Sequence, residues 1–517
     1  MAITVGLDFG THQTKICIED TADKQNPNYS FWKFKDVDGK IQLVCPSVVQ
    51  LNEDNTLSYG YVSDENCKKG FHIEYPEPIK PELEEPTLEL PTAPTLYEVP
   101  NIDDLHLSAR GIEILKEKIL QVNKANRVIE NSHRTICKLL TTQHKEDMIK
   151  YLSEKKSYEK QYAKWQEQIT TPAPIRYFYF KQAVFSTFDW KYKNTSPILL
   201  SIWYIANIIF DLEDKYGQNF SIQMGVPTGA NDFQHKKQIS TSILLSAYKL
   251  VEEVFNNDKN AFLATTIDEL EVITDIVPYS NDAKQEYGIL IFPEAYAGLR
   301  MMTARGKITG GMNLNVDIGG GTTDISFFVI NNNRPHIYCY ESIPKGLNWI
   351  IQDTFGDNAI LKRGVLGDFN LSSEFYKMAT LKSTNKFYQD ILKIHTRIIN
   401  RLWNEWVEKM GTANKHRLTS ALQNRPIIYM GGGSTYSQLR KAVGAFSDVH
   451  IVDDEFWSGI QIENVGDMYP VLNTALGLSV GEADDNIEIH SISDLWSENA
   501  NMYERSYEKV DYNLMDV

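Results

Sequence analysis

Alternating apolar residues that lead into an acid and a glycine form the first clear pattern in this 517-residue chain. The run Ile3 to Leu7 ends at Asp8, and the turn Gly10-Thr11 follows. The alternation predicts a β-strand, and the glycine lets backbone N–H groups approach an anion without a Cβ in the way. The pattern therefore predicts an anion-binding turn at the end of the first strand.

A second segment, Asn315 to Ser326, repeats this arrangement with more glycine. Val316 leads into Asp317, and Asp324 begins the next β-rich run. Between the two acids stand Gly319, Gly320 and Gly321 and the hydroxyl side chains of Thr322 and Thr323. Acids beside a phosphate would repel it, so Asp8, Asp317 and Asp324 predict Mg²⁺ between acid and phosphate, bound directly or through water.

A third glycine turn lies in IIYMGGGSTYSQLRKAV, Ile427 to Val443. An apolar strand enters the turn Gly431, Gly432, Gly433 and Ser434, and the spacing of Leu439 and Val443 predicts a helix directly after it. Bare backbone at a strand-to-helix turn lets a flat ring or a phosphate lie against the helix N-terminus. A single Asp-x-Gly turn is typical of an ordinary tight turn, but the three together predict a nucleotide site.

The order of these motifs resembles that of the superfamily of actin, sugar kinases and the 70-kDa heat-shock chaperones. The likeness is greatest to the chaperone ATPase domain, whose second phosphate motif is similar to DIGGGTTDIS. FPEAYAGL, Phe292 to Leu299, resembles the helix that connects the two lobes, and Asn473 to Gly477 resembles the helix that returns to the first lobe. The resemblance implies an α/β, two-lobed actin-like ATPase fold made of duplicated ribonuclease-H-like domains.

The resemblance also implies roles for individual residues. ATP or ADP would lie between the lobes, Asp8, Asp317 and Asp324 would hold Mg²⁺, and Glu294 would orient the attacking water. The implied nucleotide contacts are Gly10, Thr11, Gln13, Thr14, Gly319, Gly320, Gly321, Thr322, Thr323, Gly431, Gly432, Gly433, Ser434 and Tyr436, the last against the base. The essential chaperone lysine has two counterparts, Lys68 and Lys69, of which we favour Lys68.

The same likeness divides the chain. Its predicted parts are lobe I (1–71 and 173–311, with a closing helix at about 470–481) and lobe II (312–469, with a helical upper subdomain at about 345–424). Residues 482–517 are expected to form an acidic tail, too short for the peptide-binding domain that follows the ATPase domain in the chaperones.

Residues 72–172 form an insertion that the family does not account for. From Glu74 to Pro100 the chain is dense in proline and glutamate, which favours an extended and solvated stalk. Apolar residues at spacings of three and four then predict a long helix, with Asn126 and His133 interrupting its seam. A second seam follows Thr141-Thr142 and carries Tyr158, Tyr162 and Trp165, so we predict a helical hairpin on a stalk.

Composition narrows the classes of partner. The net charge of −16 argues against nucleic acid or an anionic membrane, because phosphate contacts need an excess of Lys and Arg. Five cysteines without a C-x-x-C pair are typical of reduced thiols in the cytoplasm. The apolar run Pro197 to Phe210 is too short to cross a bilayer, and since the first strand starts at once we expect no signal peptide.

These features predict a slow, Mg²⁺-dependent ATPase that acts as a chaperone-like nucleotide switch for a protein partner, reached through residues 72–172. An actin-like filament-forming ATPase would share the same motifs. A small-molecule kinase would also share them, although it needs a catalytic base between the lobes, and no further Asp pattern suggests one. A chain that binds ATP without hydrolysing it remains a further alternative, although all four acids are in place.

Overall fold

The computed structural model describes residues 3–22, 27–70, 78–101, 108–170, 172–185, 195–227, 232–308, 311–331, 334–343, 345–347, 349–350, 381–410, 425–442, 446, 448–482, 484–487, 490–492 and 494. This part of the chain has a mixed α/β architecture with several sheets and about ten helices. Its contacts divide it into two compact units, residues 1–69 with 174–517, and residues 70–173.

In chain order the strands are β1 (Ile3–Phe9), β2 (Gln13–Asp20), β3 (Asn28–Phe31), β4 (Phe34–Lys35), β5 (Ile41–Gln42), β6 (Cys45–Pro46), β7 (Val49–Leu51), β8 (Leu57–Tyr59), β9 (Lys69–Gly70), β10 (Ala173–Pro174), β11 (Arg176–Tyr177), β12 (Phe220–Val226), β13 (Ile289–Pro293), β14 (Gly311–Ile318), β15 (Thr323–Asn331), β16 (Arg334–Ile343), β17 (Pro426–Met430), β18 (Asp448–Ile451) and β19 (Gln461–Ile462).

The α-helices are α1 (Ala109–Thr170), α2 (Phe180–Phe185), α3 (Pro197–Tyr216), α4 (Phe233–Lys249), α5 (Lys259–Ala264), α6 (Ile267–Ile273), α7 (Asn281–Glu286), α8 (Glu294–Ala304), α9 (Leu381–Met410) and α10 (Tyr469–Ser479). A π-helical turn, Leu250–Val254, extends α4. Within the described residues, no helix combines the length and apolar character that a membrane span requires.

Sheet 1 is built around the first strand, in the order β13-β12-β1-β2-β3-β19, with β6 beside β2. The turn after Phe9 returns the chain at once, so β1, β2 and β3 form an antiparallel meander. β12 pairs in parallel with β1, and β13 pairs in parallel with β12. The apolar helix α3 directly precedes β12 in the chain, and its Trp203 and Ile205 are fully buried.

Sheet 2 has five strands in the order β16-β15-β14-β17-β18 and repeats the β3-β2-β1-β12-β13 part of sheet 1. β14, β15 and β16 form the antiparallel meander, and β17 and β18 add parallel strands on the other side of β14. Asp8 and Asp317 therefore lie near the ends of topologically equivalent strands. Each glycine motif directly follows the strand at the centre of its sheet, so the two motifs occupy equivalent places.

Helices α8 and α10 pack against each other and against the two sheets. Glycines allow this close approach: a Cβ at Gly477 would lie 1.7 Å from the Ala297 carbonyl oxygen, and one at Gly6 would lie 2.3 Å from the Ala475 carbonyl oxygen. A shared apolar cluster includes residues of both helices and of both sheets. The start of α8, at Glu294, is thereby held against the ends of the strands.

In the unit of residues 70–173 the predicted helical hairpin is wrong, because α1 is one continuous helix of 62 residues. Thr141 and Thr142 do not break it, since their hydroxyls donate to the carbonyls of Cys137 and Lys138, one turn earlier, at 2.8 and 2.9 Å. The helix also contains neither proline nor glycine after Gly111.

The seam of α1 contacts the proline-rich segment instead of a second helix. The Asn126 side chain accepts from the Tyr97 N–H and donates to the Tyr97 carbonyl, both at 2.8 Å. A ring nitrogen of His133 lies 3.2 Å from the carbonyl oxygen of Pro91. Asn126 and His133, which interrupt the apolar seam, therefore provide hydrogen-bond partners for the backbone of the extended segment.

Some predictions fall outside the described residues. Of the predicted upper subdomain, 345–424, only 345–347, 349–350 and α9 are described, and α9 packs its apolar face against sheet 2. Residues 351–380 and 411–424 lie outside the description, as do 495–517 of the predicted tail.

Candidate functional site

The first two glycine turns have the same backbone geometry. The Gly10 N–H donates to the Gln13 carbonyl at 3.1 Å, and the Gly319 N–H donates to the Thr322 carbonyl at 2.9 Å. Each turn thus spans four residues closed by one backbone hydrogen bond. The glycine at the start of each turn is crowded by backbone: a Cβ at Gly10 would lie 2.2 Å from the Gln13 carbonyl oxygen.

The strand register assigns equivalent positions to the charged residues beside these turns. Asp8 lies opposite Lys15 in sheet 1, and Asp317 lies opposite Asp324 in sheet 2. Lys15 therefore stands in the first turn where the second turn has its second acid. Its ammonium pairs with Asp8 Oδ2 at 3.0 Å. Lys15 was not among the predicted site residues, although an alignment of the two turns identifies it.

Both turns open into one cavity of about 1170 Å³. The turns touch, since a Cβ at Gly321 would come within 3.1 Å of Thr11 Cγ2. The predicted site residues that line this cavity are Asp8, Gly10, Thr11, Gln13, Glu294, Asp317, Gly319, Gly320, Gly321, Thr322, Asp324, Gly431, Gly432, Gly433 and Tyr436. Most of the residues singled out by sequence are thus brought to one place.

Three predicted hydroxyl contacts are not brought to the cavity wall. The Thr14 hydroxyl shares a hydrogen bond with Ser47 at 3.1 Å. The Thr323 hydroxyl donates to the Lys345 carbonyl at 2.9 Å, and the Ser434 hydroxyl donates to the Gly431 carbonyl at 2.7 Å. Ser434 thus closes its own turn, whereas Thr14 and Thr323 tie β2 and β15 to neighbouring segments.

The predicted phosphate lysine is also placed elsewhere. Lys68 donates to the Asn55 side chain, and neither Lys68 nor Lys69 lines the cavity. Lys181, from the short helix α2, lies there instead and forms an ion pair with Glu294 at 2.5 Å. Its side chain is 3% exposed. No motif surrounds Lys181 in the sequence, so only the tertiary contact identifies it.

Burial and neighbouring negative charges favour the protonated forms of the two acids of sheet 2. Burial, and then the charges of Asp324, Glu294 and Asp8, raise the pKa of Asp317 to about 8. Burial and the charge of Glu294 raise the pKa of Asp324 to about 6. A cation bound among these groups would be stabilised by the same field that favours their protonation.

The third glycine turn packs directly on the second. Gly431 has φ of 80°, and a Cβ there would lie 2.2 Å from Asp317 Oδ1. The predicted helix after this turn is wrong: residues Gly432–Thr435 and Ser437–Leu439 form two short 3₁₀ turns. Tyr436 lies between them and is buried in the core of sheet 2.

The described residues contain no group of three or more His, Cys, Asp or Glu side chains placed to hold a metal ion directly. The cavity does contain further acids that sequence analysis did not single out, namely Asp453, Asp454 and Asp467. A metal ion would therefore need ligands besides protein carboxylates, such as water or phosphate oxygens.

Comparison with known proteins assigns this chain to no family. Neither a protein-family model nor a curated protein sequence matches it.

Proposed function

We propose that this chain binds ATP with Mg²⁺ in the cavity and hydrolyses it slowly, as an ATPase with the two-lobed fold of actin and the 70-kDa heat-shock chaperones. One observation carries the proposal: two turns closed by the same backbone hydrogen bond, on sheets that share the order and direction of five strands, meet in a cavity with Glu294 and a third glycine turn. Sheets 1 and 2 would then be the cores of lobes I and II.

The residues present fit a nucleotide with a divalent cation. Glycines at the turns expose backbone to a phosphate chain, and Lys15 and Lys181 add positive charge at the acids. Asp8, Asp317 and Asp324 would hold Mg²⁺ mainly through water, in keeping with the preference of Mg²⁺ for a partly hydrated shell. Mg²⁺, when bound, neutralises phosphate charge and orients the phosphates.

The protein's own groups would act by positioning. The ammonium of Lys181 holds the Glu294 carboxylate at the start of α8, where Glu294 would orient the attacking water. The Thr322 hydroxyl donates to Asp324 Oδ2 at 3.3 Å, which ties the turn to the acid that follows it. Fixed charges and donors stabilise a phosphoryl-transfer transition state without covalent chemistry.

The proposed switch acts on a protein partner in the cytoplasm, which would contact the unit of residues 70–173. That unit presents a long helix and an extended segment with many exposed apolar side chains, among them Leu120, Val128 and Ile149. Exposed apolar surface of this kind is typical of interaction sites.

A small-molecule kinase of the same fold is the second candidate. It is favoured by the acids Asp453, Asp454 and Asp467, which line the same cavity and could supply a base for an acceptor hydroxyl. ADP formation that requires an added acceptor would favour the kinase over the ATPase.

The proposal is tested by ATP binding and phosphate release from the purified chain, compared with Glu294→Gln and Asp317→Asn. We expect Glu294→Gln to bind ATP normally and to lose hydrolysis by a factor on the order of 100 or more. Asp317→Asn should weaken binding of ATP in the presence of Mg²⁺. The exposed Asp38→Asn is the matched control and should behave as wild type. Equal hydrolysis in all four proteins would overturn the site assignment.

A further inference from the structure

Behind the acids of the cavity, sheet 2 carries a second row of polar side chains. The register places Asn315 opposite Ser326, and Ser326 opposite Tyr340. This row lies two residues along the strands from Asp317 and Asp324. Because alternate residues of a strand share a face, the row and the acids lie on the same face of the sheet.

The polar side chains of this row are buried in the sheet. Asn315 is 1%, Ser326 0% and Tyr340 5% exposed. Among the described residues, no group hydrogen-bonds to their side-chain polar atoms, nor to the inner oxygen of Asp324, Oδ1. A buried polar atom left unpaired costs about 1–3 kcal/mol. A phenylalanine in place of Tyr340 would avoid that cost, so stability alone does not account for the hydroxyl.

The Tyr340 hydroxyl and the Asp324 carboxylate are neighbours. They stand diagonally on adjacent antiparallel strands, a separation that an aromatic side chain can span. Burial and then the negative charges of Asp324, Glu294 and Asp317 raise the pKa of Tyr340 well above its usual value. The Tyr340, Ser342 and Thr322 hydroxyls lie close enough to the Asp324 carboxylate to lower its pKa, and within the described residues Oδ1 has no well-formed hydrogen bond.

We propose that Tyr340 is a positioning residue for Asp324: its hydroxyl donates to Asp324 Oδ1 and thereby holds Oδ2 toward the cavity. The inference rests on the proposed nucleotide site for its consequence, since Oδ2 is the oxygen that faces the Thr322 turn. Tyr340 is not among the residues that line the cavity. Ser326 lies beside Tyr340 in the row, and its hydroxyl can donate to the Tyr340 phenol oxygen.

The first test compares Tyr340→Phe with Tyr338→Phe. Tyr338 is the matched control: it is buried on the same strand, but a β-bulge opposite Phe327 and Phe328 interrupts the alternation, and Tyr338 packs in the other cluster of sheet 2. Removing a hydrogen bond behind a metal-site acid typically costs about 10–100-fold in metal affinity or activity. We expect the Mg²⁺ concentration for half-maximal phosphate release to rise about tenfold in Tyr340→Phe, with ATP binding in EDTA unchanged. Tyr338→Phe should leave both values unchanged, and equal shifts in the two variants would overturn the proposal.

The second test needs no nucleotide. Urea unfolding of Tyr340→Phe, Asp324→Ala and the double variant forms a thermodynamic cycle. If the hydroxyl acts through Asp324, the change in stability caused by Tyr340→Phe disappears in the Asp324→Ala background. Additive losses would overturn the contact, whether or not the chain binds ATP. A non-additive cycle in a chain that neither binds nor hydrolyses ATP would instead refute the proposed function while the contact stood. Ser326→Ala offers a milder variant, with a smaller shift in the same direction.

Discussion

Single residues in the cavity differ in how their charge is balanced. Asp8 pairs with Lys15 and Glu294 pairs with Lys181, whereas no lysine or arginine in the described part of the chain pairs with Asp317 or Asp324. The two paired acids are prepared to orient other groups, while the unpaired acids concentrate negative charge. That division suits a site in which a cation and a phosphate chain approach from the side of sheet 2.

Folding stability should depend on pH through another buried acid, Glu213 of α3. It is 8% exposed, and burial followed by the charge of Glu252 raises its pKa to about 7. Because the folded-state pKa lies above the usual 4.5, Glu213 favours folding below pH 4.5, and this contribution is lost as pH rises to about 7. The loss is on the order of 3 kcal/mol at pH 8.

Glu213→Gln should therefore be more stable than wild type at pH 8 and nearly equal to it at pH 4.5. Urea midpoints at the two pH values measure this, with the exposed Glu253→Gln as control. A stability difference that does not change between the two pH values would contradict the role assigned to burial of the Glu213 charge.

Residue types alone indicated much of the candidate site. The acids could be predicted because Asp8, Asp317 and Asp324 lie near strand ends and Glu294 follows an apolar run, and glycines such as Gly10 stand where a Cβ would meet backbone. Lys15 could have been predicted from the equivalence of the two turns. Lys181 could not, because its ion pair with Glu294 joins residues 113 positions apart and leaves no local pattern.

Elements hold the site through glycine contacts between helices and strands. α8 begins with Glu294, and α10 lies across it and supplies the Pro470 carbonyl that accepts from the Gly431 N–H at 2.9 Å. One helix pair thus connects the predicted water-orienting acid to the third glycine turn. The contact depends on Gly477, where no side chain fits.

Gly477→Ala should force α8 and α10 apart and lower stability by roughly 1–3 kcal/mol or more, since its Cβ would overlap the Ala297 carbonyl. Thermal unfolding measures the loss. Gly432→Ala is the matched control, because a Cβ there meets nothing within 4 Å. Equal melting temperatures for Gly477→Ala and wild type would show that the helices can separate without cost.

At the scale of the whole molecule, the chain combines one unit with both large sheets and a second unit of helix and extended segment. Among the described residues, the hydrophobic clusters of the first unit include no residue between 70 and 173. The chain also re-enters the first unit close to where it leaves, since the Ile175 N–H donates to the Lys68 carbonyl at 2.9 Å.

Replacing residues 71–172 with a short Gly-Ser linker should therefore preserve folding of the first unit and the ATP binding that we propose for it. Circular dichroism and ATP titration check the two expectations separately. A linker of scrambled 72–172 sequence is the matched control for chain length. An unfolded product would show that the unit of residues 70–173 contributes stability that its own contacts do not reveal.

Sequence by itself determined the strand-turn motifs, the placement of three acids on β-strands and one at the start of α8, and the mixed α/β class, because these depend on local periodicity and on glycine at crowded turns. Tertiary structure decided the rest. It made α1 one helix, since its seam meets an extended segment through Asn126 and His133, and it replaced a predicted helix after Gly431 with 3₁₀ turns. It also brought Lys181 to Glu294 and Tyr340 behind Asp324, because contacts between distant segments depend on packing that no local pattern records.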